Sequence, residues 1–269
     1  MRNNIFKRSI MKEFFGIGGY ERPAAGFLSF DHIAFVTFFV ALMLFFAIYL
    51  GIKHRGADER KKNRVLQILG IALIAIEIFE TIFFTIRNED PLYIRMNLPF
   101  FFCSLQTIAI PLASVSKGRL REAALDFIVV FGMLGALLGT YFAGNNYGTY
   151  PAVCIDNVIS SLTHVMAGFA SLYIIISGMY SMKKENMPIN MAILGVFSVM
   201  AYIAGVICDY NYMFFFSHDG TPYSIFYNLV NGNKVLYPLI VVGLFYLFIL
   251  IYYPIFNYFK AKIQNRKAK

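Results

Sequence analysis

Seven apolar runs, each near the length of a membrane crossing, set what this chain can fold into. They cover Ile33–Ile52, Val65–Ile86, Met96–Val115, Phe127–Gly144, Ala152–Met179, Pro188–Cys208 and Val235–Phe259. About 20 helical residues, rising about 1.5 Å each, cross roughly 30 Å of hydrocarbon. The fourth run is the shortest and can begin earlier, near Ala123. The fifth is long enough to tilt. Short polar connections with turn residues separate the runs, as at Arg87-Asn88-Glu89-Asp90-Pro91 and Asn145-Asn146-Tyr147-Gly148. The longest connection, about Asp209 to Lys234, contains His218-Asp219-Gly220-Thr221-Pro222. Only 14% of the 269 residues are charged, against about 25% in soluble domains. The expected fold is all-α, a polytopic transmembrane bundle of seven helices forming one integral membrane domain over residues 1–269. Residues 1–30 form a polar or interfacial N-terminal segment, 31–259 the bundle and 260–269 a basic tail.

Basic residues then give an orientation. The side bearing the first, third and fifth connections and the C-terminal tail carries 16 Lys and Arg, the other side 8. The richer side is expected in the cytoplasm, which places the N-terminus outside. Five basic residues precede the first run and oppose this assignment; an amphipathic stretch over Phe14–Phe30, lying on the membrane, would soften the conflict. The net charge of +9 is no sign of nucleic-acid binding, because the basic residues fringe apolar spans over anionic lipid. The first 28 residues lack an apolar core, so no secretory signal peptide is expected. The expected location is the cell membrane.

Polar residues inside spans are costly and mark functional candidates. Glu77 and Glu80 share one helix face at i, i+3. In this topology Glu77 lies roughly 14 Å below the outer end of its span, Cys103 roughly 10 Å and His164 roughly 18 Å. Ser160 and Asn157 lie on the face of His164, and Gln106 lies one turn beyond Cys103. These residues can share a polar cavity opening outward. A thiol and an imidazole there can serve as nucleophile and base, with Asn157, Glu77 or Glu80 orienting the ring. The bland alternatives are a packing cysteine, a hydrogen-bonded interior histidine and protonated glutamates that bridge helices. No cofactor is expected. The four histidines and three cysteines offer no metal-ligand spacing, and a Cys154–Cys208 disulfide is conceivable only near the outer surface. His32, His54 and His218 receive no role.

The segment Asn97-Leu98-Pro99-Phe100-Phe101-Phe102-Cys103-Ser104-Leu105 resembles the Leu-Pro-x-x-x-Cys segment of the YwaF-like integral membrane proteins, whose eukaryotic relatives look like membrane-embedded lipid acyltransferases. Asp156-Asn157 followed by Ser161 and Thr163-His164 resembles that family's histidine helix. Asn211-Tyr212-Met213 and Tyr237-Pro238 resemble its polar-aromatic stretch and the start of its last helix. The resemblance implies a seven-helix bundle with Cys103 as acyl-accepting nucleophile and His164 as its partner, and it adds Asn211 and Tyr237 to the cavity candidates. One departure is Phe101, where the family pattern carries a histidine.

Three functions follow as expectations. The first is acyl transfer or acyl hydrolysis on membrane lipids, through Cys103 and His164. The second is a proton-coupled carrier of small solutes, using Glu77, Glu80 and His164; the lack of paired broken segments counts against it. The third is a structural or receptor-like membrane protein whose polar groups only tie helices together.

Overall fold

The computed structural model describes residues 10–219, 221 and 223–267, and among these it is helical with no strand. The first nine residues, the last two, and Gly220 and Pro222 of the long connection lie outside the described residues. The basic residues Arg2, Lys7, Arg8 and Lys269 therefore do not enter the description.

Six helices are long and apolar enough to cross a membrane. We number the helices that build the bundle α1 (Phe30–His54), α2 (Glu59–Arg87), α3 (Leu105–Val115), α4 (Gly118–Tyr141), α5 (Ile155–Ser177), α6 (Met187–Cys208) and α7 (Leu236–Lys267). Local chemistry sets their ends. Ser29 caps α1 by accepting from the His32 N–H, and Asp58 caps α2 by accepting from the Lys61 N–H at 2.7 Å. Pro188 opens α6 where its missing N–H costs nothing. Gly178 closes α5 in the left-handed region, at φ 77°.

The third apolar run departs from the expected helix. It opens at the end of a short 3-10 turn, Pro91–Asn97, and continues as irregular chain to Ser104; only Leu105–Val115 is α-helical. Pro99 explains the break. It disfavours helical backbone at the preceding Leu98, which sits at φ −63°, ψ 141°. The 11 residues of α3 rise only about 16 Å, half a bilayer.

Hydrogen bonds fix the two ends of the bundle. At one end the Asn63 amide donates to the Ser114 carbonyl at 2.7 Å, joining the start of α2 to the end of α3. There too Lys183 pairs with Glu122 at 2.8 Å, and the His54 ring meets the Tyr173 hydroxyl at 3.0 Å. At the other end Arg87 closes on Asp156, and the His32 ring reaches the Thr140 carbonyl at 3.0 Å. The Leu28 N–H donates to His32 Nδ1, so Nε2–H is the donor to Thr140. Segment 91–115 thus carries the chain from the Arg87 end back to the Glu59 end.

Burial orders the helices. The apolar window of α4 is 72% buried and that of α5 50%, against 17–22% for α1, α2, α6 and α7. The pair α4–α5 is the centre, and the outer helices turn Phe38, Phe45, Ile71, Ile78, Val206 and Leu239 outward. Such an apolar exterior suits lipid. Glycines permit the central packing. A methyl on Gly132 would lie 2.6 Å from the Ala167 carbonyl oxygen, the close approach that small residues give membrane helices. Residues 10–28 pack in part on the bundle, with Ile10, Met11, Ile17, Phe27 and Leu28 exposed. Phe14 and Phe15 pack with Phe84, Ile155 and Ile159, and Ala25 and Gly26 donate to the carbonyls of Tyr150 and Tyr147.

Candidate functional site

The irregular half of the third run makes one wall of a cavity. The Phe100 N–H donates to the Leu98 carbonyl at 2.7 Å, which tightens the chain just before Cys103. The Gln106 N–H donates back to the Cys103 carbonyl at 3.3 Å as α3 begins. Cys103 therefore sits at the mouth of a helix N-terminus, where the first N–H groups lack intrahelical partners.

The opposite wall is α5. His164 Nδ1 lies 2.6 Å from the Ser160 carbonyl, one turn earlier. A carbonyl only accepts, so Nδ1 carries hydrogen and Nε2 of the neutral ring is left as an acceptor. The ring lies flat on Gly139 of α4, where a methyl would sit 1.7 Å from Cδ2 and 2.0 Å from Nε2. Cys103 and His164 line the same cavity.

From α2 come Glu77 and Glu80, one helical turn apart. Both line the cavity with His164 and Asp156. Among the described residues neither glutamate has a hydrogen-bond partner. The cavity they share with Cys103, Gln106, Ser160 and His164 encloses about 270 Å³. At about 30 Å³ per water molecule this holds a small polar cluster or the reacting end of a larger ligand, not a whole lipid. Toward the Arg87 end stands Asp156, held by two Arg87 N–H groups at 2.7 and 2.8 Å and by the Tyr20 hydroxyl.

Of the residues singled out in the sequence, Glu77, Glu80, Cys103, Gln106, Ser160 and His164 line this one cavity. Three do not. Asn157 is fully buried and donates to the Pro151 carbonyl at 2.9 Å, away from the His164 ring. The group that orients the ring is the Ser160 backbone carbonyl instead, an acceptor that no side-chain pattern displays. Asn211 organises its own loop, accepting from the Phe216 and Ser217 N–H groups and donating to Ser217 and Asp219. Tyr237 is buried against Tyr227 in another part of the core. Phe101 lines the cavity and packs on Tyr210 and Tyr212, so an aromatic face stands where the resemblance expects a second imidazole. All three cysteines, Cys154 and Cys208 included, are free.

A model of the TMEM164 family matches residues 27–258, which includes all seven bundle-building segments almost entirely. The chain belongs to the TMEM164 family. This is a multi-pass membrane family, and the six long apolar helices agree with it. The YwaF-like family is not the one matched; its likeness stays confined to the quoted motifs. No curated protein and no solved structure matches the chain significantly.

Two residues outside the sequence expectations join the family member's architecture. Asp156 lines the cavity beside its partner Arg87. Asp126 sits fully buried near the start of α4 and accepts from the Ser181 and Met182 N–H groups, the Ser181 hydroxyl and the Asn186 amide, all at 2.8–3.0 Å. It precedes the fourth apolar run by one residue, and no motif in the sequence singles it out.

Proposed function

We propose that this TMEM164-family protein is an intramembrane acyltransferase or acyl hydrolase acting on lipid esters of the cell membrane. The observation that carries this reading is the convergence of Cys103, His164 and Glu80 on one cavity, with the imidazole tautomer set by Ser160. In this reading the chain passes the membrane seven times, the segment Met96–Val115 being the broken third pass. The N-terminus is outside and the C-terminal tail cytoplasmic, as the distribution of Lys and Arg supports.

The Cys103 thiol gives its proton to His164 Nε2 and attacks the ester carbonyl carbon. The tetrahedral intermediate expels the alcohol, which takes that proton from the imidazolium, and an acyl-thioester remains on Cys103. A hydroxyl or amine acceptor, or water, then attacks the thioester while His164 takes its proton, and Cys103 is restored. Glu80 lines the same cavity. The test is acyl transfer from lipids by the purified protein, compared with Cys103→Ala and His164→Ala. Both variants should lose at least about 100-fold in turnover. Equal turnover in all three would remove the nucleophile.

A second reading, a proton-coupled carrier, is favoured by the two glutamates that stand beside His164 without hydrogen-bond partners. It requires Glu77→Gln to abolish solute uptake in proteoliposomes while Cys103→Ala leaves uptake intact.

A further inference from the structure

Gln106 is 2% exposed, and neither its Nε2 nor its Oε1 has a hydrogen-bond partner. Its side chain lines the cavity of Cys103 and His164. Native proteins pair nearly all buried polar groups, and those left open call for an explanation such as a ligand or a catalytic role. A second open donor faces the same space: Asn97 Nδ2 is buried and unpaired, and Asn97 lines the cavity as well. Ser104, next to Cys103, is the N-cap residue of α3, where backbone N–H groups lack intrahelical partners. Donors from three residues thus belong to the lining of the cavity that Cys103 also lines.

Such a donor set fits an oxygen that gains negative charge. We infer that the Gln106 carboxamide, together with the Ser104 N–H, holds the carbonyl oxygen of the acyl ester while Cys103 attacks it. The inference rests on the acyl-transfer reading above. As the sulfur–carbon bond forms, the carbonyl π pair moves onto oxygen, and the thiol proton goes to His164 Nε2. When the pair returns, the carbon–oxygen bond to the alcohol breaks and the alcohol leaves with that proton. Gln106 donates throughout and exchanges no proton. The Gln106 N–H donates to the Cys103 carbonyl, so one hydrogen-bonded turn links nucleophile and donor. Gln106 Nε2–H can strengthen its bond as charge develops, so its contribution appears in the rate of acylation rather than in ester binding.

The experiment uses the full chain in lipid nanodiscs with a short-chain p-nitrophenyl ester as probe. The nitrophenolate burst reads acylation of Cys103, and iodoacetamide labelling reads access to the same thiol. Gln106→Met keeps the side-chain volume and removes the donor. It should slow the burst by about 100-fold with KM and the labelling rate within threefold of wild type. Gln106→Glu, which places an acceptor where the oxyanion forms, should slow it at least as much. A burst in Gln106→Met within threefold of wild type would overturn the inference alone. So would a slower burst matched by equally slower labelling, because the residue would then serve the thiol or the packing. A wild type that labels with iodoacetamide yet gives no burst would overturn the acyl-transfer reading and this inference with it.

Discussion

The His164 ring occupies the space that a side chain on Gly139 would fill, with Cδ2 only 1.7 Å from the position of a β-carbon there. Gly139 lies in the interior of α4, where glycine costs about 1 kcal/mol relative to alanine. What the helix gains in return is a flat seat that fixes the imidazole. Gly139→Ala should therefore displace the ring from the thiol and lower acyl turnover by at least about 10-fold, since small misplacements of catalytic groups are costly. Thermal unfolding should change little, because better helix propensity offsets the overpacking. Turnover equal to wild type would show that the ring position does not matter.

Arg87 and Asp156 form a two-pronged ion pair with side chains only 9% and 7% exposed. Removing one partner leaves the other charge buried and alone, at a cost of about 3–5 kcal/mol. Arg87→Ala should lower the unfolding temperature in detergent markedly. The double change Arg87→Leu with Asp156→Leu should be less destabilising than that single change. Additive losses would mean that the pair is not coupled.

Asp126 stitches the start of α4 to the connection between α5 and α6 through four donors. Hydrogen bonds to a charged group are worth about 1.5–3 kcal/mol each before compensation. Asp126→Ala should destabilise the protein by more than about 3 kcal/mol in reversible unfolding in mixed micelles. Cys103, at the other end of the bundle, should keep its labelling rate at temperatures below the transition.

Glu13 ties down the N-terminal segment. It accepts from the Glu21 and Arg22 N–H groups and from the Arg22 guanidinium, and these bonds hold its pKa below the ordinary glutamate value. A depressed pKa means stabilisation that is fully present above the unfolded value of about 4.3 and fades as pH falls through the folded one. Proteolysis within residues 10–25 should quicken as the medium is acidified below that range. Glu13→Gln should remove most of that acid dependence.

The architecture was legible where one physical rule dominated. Apolar length announced six of the seven expected segments as long helices, and the spacing of Glu77 and Glu80, with Cys103 and His164 near the same depth, announced a shared cavity. Legibility ended where partners are remote or made of backbone. Nothing in the spacing around His164 tells that Ser160 serves through its carbonyl while Asn157 turns to Pro151. Gly139 is 25 residues from the ring it supports, and only the α4–α5 contact joins them. Asp126 and His32 carry no signal in composition that tells of their burial. Burial at helix ends depends on the neighbouring helix, which composition along one strand of chain does not encode. Pro99 was in plain view, yet the strongly apolar residues around it favoured a continuous helix until its effect on Leu98 was seen.

The irregular stretch from Leu98 to Ser104 has a cost that the half-length α3 makes unavoidable. Amide and carbonyl groups outside a helix cannot face hydrocarbon unmet; this stretch packs partly on the core through Leu98 and Phe100–Phe102 and turns the rest to the cavity, the side open to water. Any thioester formed at Cys103 would consequently stand within reach of the water that hydrates its own neighbouring backbone. Hydrolytic leakage would then be built into the site, and the ratio of transfer to hydrolysis would depend on how completely the acceptor dries the cavity when it binds.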